Sequence, residues 1–147
     1  MFKRILLATD GSEFAERAAE AAAALAKKFD ASLTTLHVFM VPVTGVSFAT
    51  GEVIPVVDPA TIDQWAREAA GAAEAGVARA CGAAGVAYAF RQELGHPAET
   101  ILRAAEEDRT DLIVLGSRGL SGIQGFLLGS VSARVSHHAH CSVMIVR

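Results

Sequence analysis

Apolar and polar residues along this chain fall into blocks that change period several times. Short apolar runs, typical of buried strands, are followed by longer segments in which apolar residues recur about every three or four positions, as in helices that face a core. The first run, Lys3–Thr9, ends in the turn residues Asp10-Gly11-Ser12 and leads into the alanine-rich segment Glu13–Phe29. The residues that this segment would place on one helical face are Phe14, Ala18, Ala21, Ala22 and Leu25.

The alternation continues to the end of the chain. Asp58-Pro59 combines a capping side chain with a proline suited to a first helical turn. Between the second strand and this cap, Met40–Pro59 holds three prolines and two glycines without a sustained period, which predicts a long surface loop. The predicted strands are Lys3–Thr9, Ser32–Phe39, Val86–Leu94, Leu112–Leu115 and Val143–Val146. The predicted helices are Glu13–Phe29, Pro59 through about Ala80 with its end in the Gly82 to Gly85 region, Pro97 to about Asp108, and Ser130 to about His138.

This order of strands and helices predicts one α/β domain spanning residues 1–147. Alternating strands and helices favour a parallel sheet with helices on both faces and right-handed crossovers. Asp10 and Gly116 each follow the carboxyl end of a strand, so we expect the first and fourth strands to be neighbours at a switch point. The predicted strand order is 3-2-1-4-5.

Composition narrows the classes of partner. The chain has 147 residues, of which 52% are hydrophobic, and this is enough for one core without disulfides or metal. A formal net charge of -3 offers no argument for binding nucleic acid or an anionic membrane. Cys81 and Cys141 are not in a metal-binding or disulfide spacing, and no apolar run reaches transmembrane length. We therefore expect a cytoplasmic protein without nucleic-acid or membrane partners.

The densest chemical signal lies between Gly116 and Ser130, where five of fifteen residues are glycine. Glycine costs backbone entropy when it is ordered, so such a cluster has a reason. Gly129-Ser130 stands at a predicted helix N-terminus, where free amides and the helix dipole favour a phosphate. Arg118 adds a positive charge nearby. The alternative interpretation is a solvated surface loop.

At these residues the chain resembles the universal stress protein family (UspA-like), over nearly its whole length. The glycine spacing matches the G-x2-G-x9-G-[ST] pattern of the ATP-binding branch of that family. The matching segments are Ile5–Ser12, His37-Val38, Gly95–Ile101, Asp111–Gly119 and Gly129–Val131. The resemblance implies a Rossmann-like fold of the adenine nucleotide alpha hydrolase-like type.

The resemblance also implies a role for each matching residue. Asp10 would hold the ribose hydroxyls, and the backbone of Val38 would meet the adenine edge. The cofactor would be ATP, with Mg²⁺ or Mn²⁺ held mainly by the phosphates and no protein metal site. The implied nucleotide-binding residues are Ala8, Thr9, Asp10, Val38, Gly116, Arg118, Gly119, Gly129, Ser130 and Val131.

Three classes of function compete: a nucleotide-binding sensor or stress regulator, an enzyme on a similar sheet, and a dimeric adaptor that needs no nucleotide. The glycine motif favours the first. The chain has neither G-x-G-x-x-G after the first strand nor G-K-[ST], which disfavours a dehydrogenase and a P-loop enzyme. Ser117, Arg118 and Ser121 are not general bases at neutral pH, so we expect slow ATP hydrolysis or none, and no catalytic residue is assigned. Asp10 has an alternative use as a turn residue that caps the first helix together with Ser12.

Two features near the C-terminus call for interpretation. His137, His138 and His140 lie beside Cys141, but no second cluster is spaced to complete a metal site. The final strand is almost wholly apolar and would lie at an edge, so an uncovered strand would invite aggregation. The family resemblance suggests a homodimer through this strand. Family members commonly have a proline before it, and we expect Ser142 instead to donate a ladder hydrogen bond; the alternative is a monomer whose edge is covered by Met40–Pro59.

Overall fold

The computed structural model describes residues 1–42, 45–47, 49–55, 57–120 and 128–147. In chain order, the elements are β1 (Arg4–Ala8), α1 (Glu13–Phe29), β2 (Ser32–Phe39), β3 (Gly45–Ser47), β4 (Val53–Pro55), α2 (Pro59–Ala84), β5 (Ala89–Leu94), α3 (Pro97–Glu107), β6 (Leu112–Gly116), α4 (Ser130–His138) and β7 (Ser142–Val146). None of the helices in these ranges is long and apolar enough to cross a membrane.

The main sheet has five parallel strands in the order β5-β2-β1-β6-β7. Counted among these five strands alone, this is the predicted order 3-2-1-4-5, and the fold is the predicted Rossmann-like α/β architecture. β1 is central and pairs with β2 on one side and β6 on the other. The chain leaves β1 toward one half of the sheet and returns at β6 to build the other, which makes the β1–β6 boundary the switch point.

Two apolar cores lie on opposite faces of the sheet. Ile5 and Leu7 of β1 face α1 and α2. Leu6 and Ala8 face the core that α3 and α4 cover. Alternate side chains of one buried strand therefore feed both cores, and this is why β1 and β6 are continuously apolar in sequence.

The buried face of α1 differs from the predicted one. The side chains with 3% exposure or less are Ala15, Ala18, Ala19, Ala22, Ala23 and Ala26. Phe14, Ala21 and Leu25 are only half-buried. Alanine occupies so many positions of this helix that hydrophobicity alone does not distinguish neighbouring faces, and packing against the sheet selects one.

Two other boundaries correct the sequence-based expectations, and a third agrees with them. Met40–Pro59 is not a loop throughout, because β3 and β4 pair as a short antiparallel hairpin. The Asp58 side chain caps α2 as predicted, and the helix ends at Ala84 and Gly85, within the predicted region; Gly85 has a positive φ. The third strand of the main sheet begins at Ala89 rather than Val86.

Candidate functional site

The candidate site lies at the carboxyl edge of the sheet, where β1 and β6 end side by side. The last backbone hydrogen bond between β1 and β2 runs from the Thr9 amide to the Leu36 carbonyl, at 3.0 Å. The chain then turns through Gly11, whose φ is 78°, a value that favours glycine. Ser12 starts α1 by accepting a hydrogen bond from the Ala15 amide, at 3.2 Å.

Asp10 joins the turn after β1 to the loop after β6. Its Oδ1 accepts a hydrogen bond from the Ser12 amide at 3.0 Å, and its Oδ2 accepts one from the Leu120 amide at 2.9 Å. The local turn role and the cross-strand role are therefore both present in one carboxylate. The structure thus brings Asp10 to the start of the glycine-rich stretch, as the switch point predicts.

Gly119 is in direct contact with this carboxylate. A Cβ placed on Gly119 would lie 2.4 Å from Asp10 Oδ2, which is closer than any real contact of this kind. The Asp10 side chain and the Gly119 backbone therefore occupy their positions together only because residue 119 has no side chain.

The other two glycines of the motif serve different contacts. A Cβ on Gly116 would lie 2.8 Å from the backbone carbonyl carbon and the Cβ of Phe14, so this glycine allows α1 to pack on the end of β6. A Cβ on Gly129 would lie 3.3 Å from the Ser117 carbonyl oxygen. The Gly129 amide donates to that oxygen at 2.8 Å, which closes the two ends of the loop on each other. Residues 121–127, including Ser121, lie outside the described residues.

Within the described residues, no side chain caps the N-terminus of α4. Gly129 is the N-cap and provides no side-chain hydrogen bond. The first backbone hydrogen bond inside the helix is donated by Ala133 to the Gly129 carbonyl, at 2.9 Å. The amides of Ser130 and Val131 therefore precede the hydrogen-bonded part of the helix, where an anion is favoured. Ser130 is exposed and Val131 is half-buried.

Ser132 is a contributor that sequence analysis missed. Its hydroxyl is buried and donates to the Gly116 carbonyl at 2.6 Å. This bond ties the first turn of α4 to the end of β6 and so positions the helix N-terminus. In the sequence, the one sign of this role is that Ser132 follows the motif serine by two residues. Its hydrogen bond to Gly116 could not be predicted, because it depends on the hydrogen bond that brings Gly129 to Ser117.

Val38 lies where β2 extends past β1. The Leu36 carbonyl faces β1 and the Phe39 carbonyl faces β5, since they accept from the Thr9 and Gly95 amides respectively. Backbone groups alternate sides along a strand, so the N–H and C=O of Val38 point toward the β1 side. β1 ends at Ala8, opposite Leu36. The Val38 backbone therefore faces the space above the end of β1, next to Asp10.

Ala8 and Thr9 are less open than their predicted roles require. Ala8 is 8% exposed and packs into the core beneath α3 and α4, and Thr9 is 6% exposed. The Thr9 hydroxyl donates to the Ala73 carbonyl of α2 at 3.5 Å and accepts from the Gly11 amide at 3.3 Å. Both residues lie at the predicted place, but they offer a ligand little surface.

Arg118 lies over an aromatic ring at the edge of the site. Its guanidinium carbon is 5.8 Å from the centroid of the Phe14 ring, and that of Arg17 is 5.7 Å from the same ring. Arg17 also pairs with Glu13. Arg118 has no ion pair with another residue in the described ranges.

His37 is a second residue whose role sequence analysis missed. The Gln92 Nε2 donates to the Ala66 carbonyl at 2.7 Å and lies 3.0 Å from His37 Nδ1. Since the Gln92 amide donates both hydrogens, Nδ1 accepts and the neutral ring carries its proton on Nε2. Burial lowers the pKa of His37, and the negative charge of Asp10 partly opposes this effect.

Metal ligands are not gathered in the part of the chain that the structure describes. No three His, Cys, Asp or Glu side chains there form a group that could hold an ion. The rings of His137 and His138 meet edge to face with centroids 5.2 Å apart, without a third ligand. A metal that accompanies a nucleotide stays a prediction.

Comparison with known proteins agrees with this architecture. Residues 1–147 match the universal stress protein family. The universal stress protein YxiE of Bacillus subtilis is 40% identical over 159 aligned positions, which cover 100% of both chains. The universal stress protein UspA from Lactobacillus plantarum shares the fold, with a TM-score of 0.80, 24% identity, and coverage of 99% of this chain and 98% of that one. A universal stress protein solved in complex with cAMP is 29% identical, with a TM-score of 0.64 and coverage of 99% and 97%. The chain therefore belongs to the universal stress protein family.

Proposed function

We propose that this protein binds ATP at the carboxyl edge of its sheet and acts as a nucleotide-occupancy sensor or stress-response regulator. The observation that carries the proposal is the 2.9 Å hydrogen bond from the Leu120 amide to the Asp10 carboxylate. It brings a strand end suited to a ribose beside a loop and helix N-terminus suited to phosphates.

The phosphate half of the site rests on the start of α4. Because Gly129 caps the helix without a side-chain hydrogen bond, the Ser130 and Val131 amides would meet a phosphate, aided by the helix dipole. The Ser130 hydroxyl would donate to the same anion. Gly119 and Gly129 would let the backbone approach it closely. Arg118, held over Phe14, would add a positive charge at the rim.

The nucleoside half rests on the ends of β1 and β2. The Asp10 carboxylate would accept hydrogen bonds from the ribose hydroxyls, and the Val38 backbone would pair with the adenine edge. Gly116 would serve this site indirectly, since its contacts are with Phe14 of α1. The relative solved with cAMP supports an adenine nucleotide as the class of ligand.

Hydrolysis would be slow or absent in this arrangement. It needs a positioned water, a base and a metal around the γ-phosphate. Among the described loop residues 117–120 and 128–129, the one hydrogen bond to a carboxylate is the Leu120–Asp10 bond, and Asp10 is assigned to the ribose. Bound Mg²⁺ or Mn²⁺ would neutralise phosphate charge, and the phosphates themselves would supply most of its ligands.

A nucleotide panel tests this proposal. Melting temperatures with ATP, ADP, AMP, cAMP and GTP, each with and without Mg²⁺, should rise with adenine nucleotides and not with GTP, because a ligand that binds the folded state stabilises it. Calorimetry would then rank the affinities. If no adenine nucleotide changes the melting temperature or gives heat of binding, the protein is instead an adaptor that works without nucleotide.

We also propose that two copies form a homodimer through β7, which lies at one edge of the sheet. Val143 and Ile145 pack on the core, whereas Met144 is 39% exposed. The Val146 carbonyl accepts from the Ser117 amide on the β6 side at 2.7 Å. By alternation, the backbone of Val143 and Ile145 faces the free edge and that of Ser142 faces β6. The Ser142 N–H therefore faces β6, where it can donate the expected ladder hydrogen bond, and the backbone groups that face a partner strand are those of Val143 and Ile145.

Light scattering tests the dimer. Met144→Lys should convert it to a monomer, because it places a charge in the interface while leaving the residues that pack on the core intact. The same change at Met40, which is 58% exposed, is the matched control and should leave the mass unchanged. A dimer that persists in Met144→Lys would place the interface elsewhere.

We further propose a cytoplasmic location. Cys81 and Cys141 are both free thiols, and Cys81 is buried, which suits a reducing compartment. Fractionation of cells that produce the protein tests this, and recovery from an oxidising compartment would contradict it.

A further inference from the structure

We propose that His37, Gln92 and the Ala66 carbonyl form a pH-sensitive polar bridge, which holds the first half of α2 (residues 59–70) on the sheet and releases it when His37 is protonated. The bridge lies on the face of β2 and β5 that α2 covers. The inference does not depend on nucleotide binding and assigns an acid-sensitive contact to the fold itself.

The polar bridge joins three elements of the fold. His37 of β2 and Gln92 of β5 are register partners in the parallel sheet, so their side chains point to the same face. The Gln92 Nε2 lies 2.7 Å from the Ala66 carbonyl oxygen of α2 and 3.0 Å from His37 Nδ1. The amide nitrogen has two hydrogens and donates one to each acceptor. The polar bridge is therefore complete only while Nδ1 carries no proton.

Protonation of His37 would leave one of these contacts without a partner. In the imidazolium form both ring nitrogens are donors, so Nδ1 would face the amide nitrogen of Gln92 as a second donor. Rotating the amide would bring its oxygen to Nδ1, but the same oxygen would then face the Ala66 carbonyl oxygen. No orientation of Gln92 therefore satisfies both neighbours. Because His37 is 6% exposed, the unsatisfied group would be buried, which disfavours the docked state.

The first half of α2 has little other buried contact with the sheet. The structure describes residues 59–72 in full, and Ala66 is the one buried residue among them. Farther along the helix, buried residues resume at Ala73, whose carbonyl accepts from the Thr9 hydroxyl at 3.5 Å. Gly71 lies between the two contacts, and a glycine in a helix interior weakens the helix. Residues 59–70 are therefore the part of α2 that loses its attachment when the polar bridge breaks.

Charged groups near the polar bridge modify the protonation of His37 without reversing the effect of burial. Burial lowers the pKa of His37, and the negative charge of Asp10, just after β1, partly opposes this effect. The other charged residues beside the bridge lie on different surfaces: Arg91 and Glu93 on the opposite face of β5, and Asp63, Arg67 and Glu68 at exposed positions of α2. The docked form therefore binds the His37 proton more weakly than an exposed histidine would.

Release in acid follows from this difference in proton affinity. In the released form, His37 would be exposed to water and regain its ordinary pKa of about 6.5. The ratio of released to docked protein should therefore rise as the pH falls below about 6.5, by up to about tenfold per pH unit for one proton, until the pH reaches the lower pKa of the docked form. Above about pH 6.5 the polar bridge contributes fully to docking.

Trp65 provides the measurement, because it is the one tryptophan of the chain and adjoins Ala66. Its exposed fraction in the docked form is 39%. Acrylamide quenching of its fluorescence, followed between about pH 7.5 and 5.5, where histidine titrates and most carboxylates do not, should increase below about pH 6.5 in the wild type. Wild-type quenching that stays constant over this range would overturn the inference.

His37→Gln removes the titrating group but keeps an acceptor for Gln92. Quenching of this variant should stay at its neutral-pH value throughout the titration. His96→Gln, at an exposed position just after β5, is the matched control and should behave like the wild type. A transition that persists in His37→Gln, or one that disappears in His96→Gln, would overturn the inference.

Gln92→Met tests the link between the ring and the helix, and it provides a second route if His37→Gln does not fold. Its side chain cannot donate to the Ala66 carbonyl, so quenching of Trp65 should be raised at every pH and should no longer follow the titration of His37, which proton NMR of the ring measures. Quenching that still follows this titration in Gln92→Met would overturn the inference. Hydrogen exchange separates release from global unfolding, because the amides of the central strand β1 should stay protected throughout. Loss of their protection together with the rise in quenching would overturn the inference as well.

Discussion

Two aspartates bridge β1 and β6, one at each end of the sheet. At the amino end, Asp111 precedes β6, and its Oδ2 accepts from the Lys3 amide at 2.8 Å and from the Arg4 amide at 3.2 Å, just before and at the start of β1. At the carboxyl end, Asp10 follows β1 and accepts from the Leu120 amide, just after β6. At each end of the β1–β6 pair, an aspartate next to one strand therefore accepts a backbone hydrogen bond from the segment next to the other strand.

The two ends differ in what surrounds the carboxylate. Near Asp111, the Arg4 guanidinium donates to the Arg109 carbonyl at 2.8 Å, and the Asp111 amide donates to the Arg4 carbonyl at 3.0 Å. At the amino end, the groups around Asp111 are therefore hydrogen-bonded to one another. Near Asp10, Gly119 has no side chain and α4 begins without a side-chain cap. The two aspartates make similar hydrogen bonds in different surroundings. Asp111 is bonded among protein groups and is structural, whereas Asp10 lies beside a residue without a side chain and near a helix N-terminus without a side-chain cap, which makes it part of a candidate ligand site.

The largest expected effect is a loss of ATP binding from substitutions at the carboxyl end of the sheet alone. Gly119→Val together with Gly129→Val should abolish ATP binding, because both side chains would fill space that the backbone, Asp10 Oδ2 and the Ser117 carbonyl occupy. Calorimetry measures it. The matched control is Gly71→Val with Gly82→Val, two positions of α2 with nothing within 4 Å of an added Cβ. If the site variant binds ATP as tightly as the control, the phosphate cradle is misassigned.

Replacing each aspartate by alanine tests the comparison between the two ends of the sheet directly. Asp111→Ala should lower the free energy of unfolding by about 1.5–3 kcal/mol, the usual range for a hydrogen bond to a charged group, and leave nucleotide affinity unchanged. Asp10→Ala should weaken adenosine as well as ATP, since it removes the ribose acceptor. Urea denaturation and calorimetry on both variants provide the measurements. Loss of ATP binding with adenosine affinity untouched would make Asp10 a metal ligand instead.

A smaller effect separates two serines of α4. Ser130→Ala should cost about 0.5–1.5 kcal/mol of ATP binding, as for one neutral hydrogen bond, with little effect on stability because Ser130 is exposed. Ser132→Ala should cost a similar amount of unfolding free energy, because its buried hydroxyl bonds the Gly116 carbonyl. Equal losses of stability in the two variants would contradict the distinction. Calorimetry and denaturation on the same preparations decide it.

The smallest effect is the pH dependence that His37 adds beside Asp10. Burial lowers the pKa of His37 below 6.5 in the folded state, so the unfolded chain takes up this proton first on acidification. The His37 contribution to stability is complete above about pH 6.5 and declines as the pH falls toward the folded-state pKa. His37→Gln should remove that part of the decline, whereas His137→Gln, at an exposed position, serves as the control. If the unfolding free energy of His37→Gln changes with pH as steeply as that of the wild type, this prediction is wrong.

Much of the fold is predictable because each element carries its own local signal. The apolar runs of β1 and β6 are buried on both faces, and the Asp58-Pro59 cap and Gly85 mark the ends of α2. The start of β5 was predicted too early because Val86 and Tyr88 pack against the core without pairing in the sheet. Apolar periodicity reports burial, and burial alone does not imply a ladder hydrogen bond.

For the candidate site, the sequence by itself determined the residue types and their spacing: an aspartate after the first strand, glycines after the fourth, and a serine at a helix start. The tertiary structure alone decided that the Leu120 amide meets Asp10, that Gly119 rather than Gly116 contacts the carboxylate, and that Gln92 orients His37. The physical reason is that these contacts join segments far apart along the chain. Their distances depend on strand register and on how the loop closes, and neither is encoded in the pattern of any single segment.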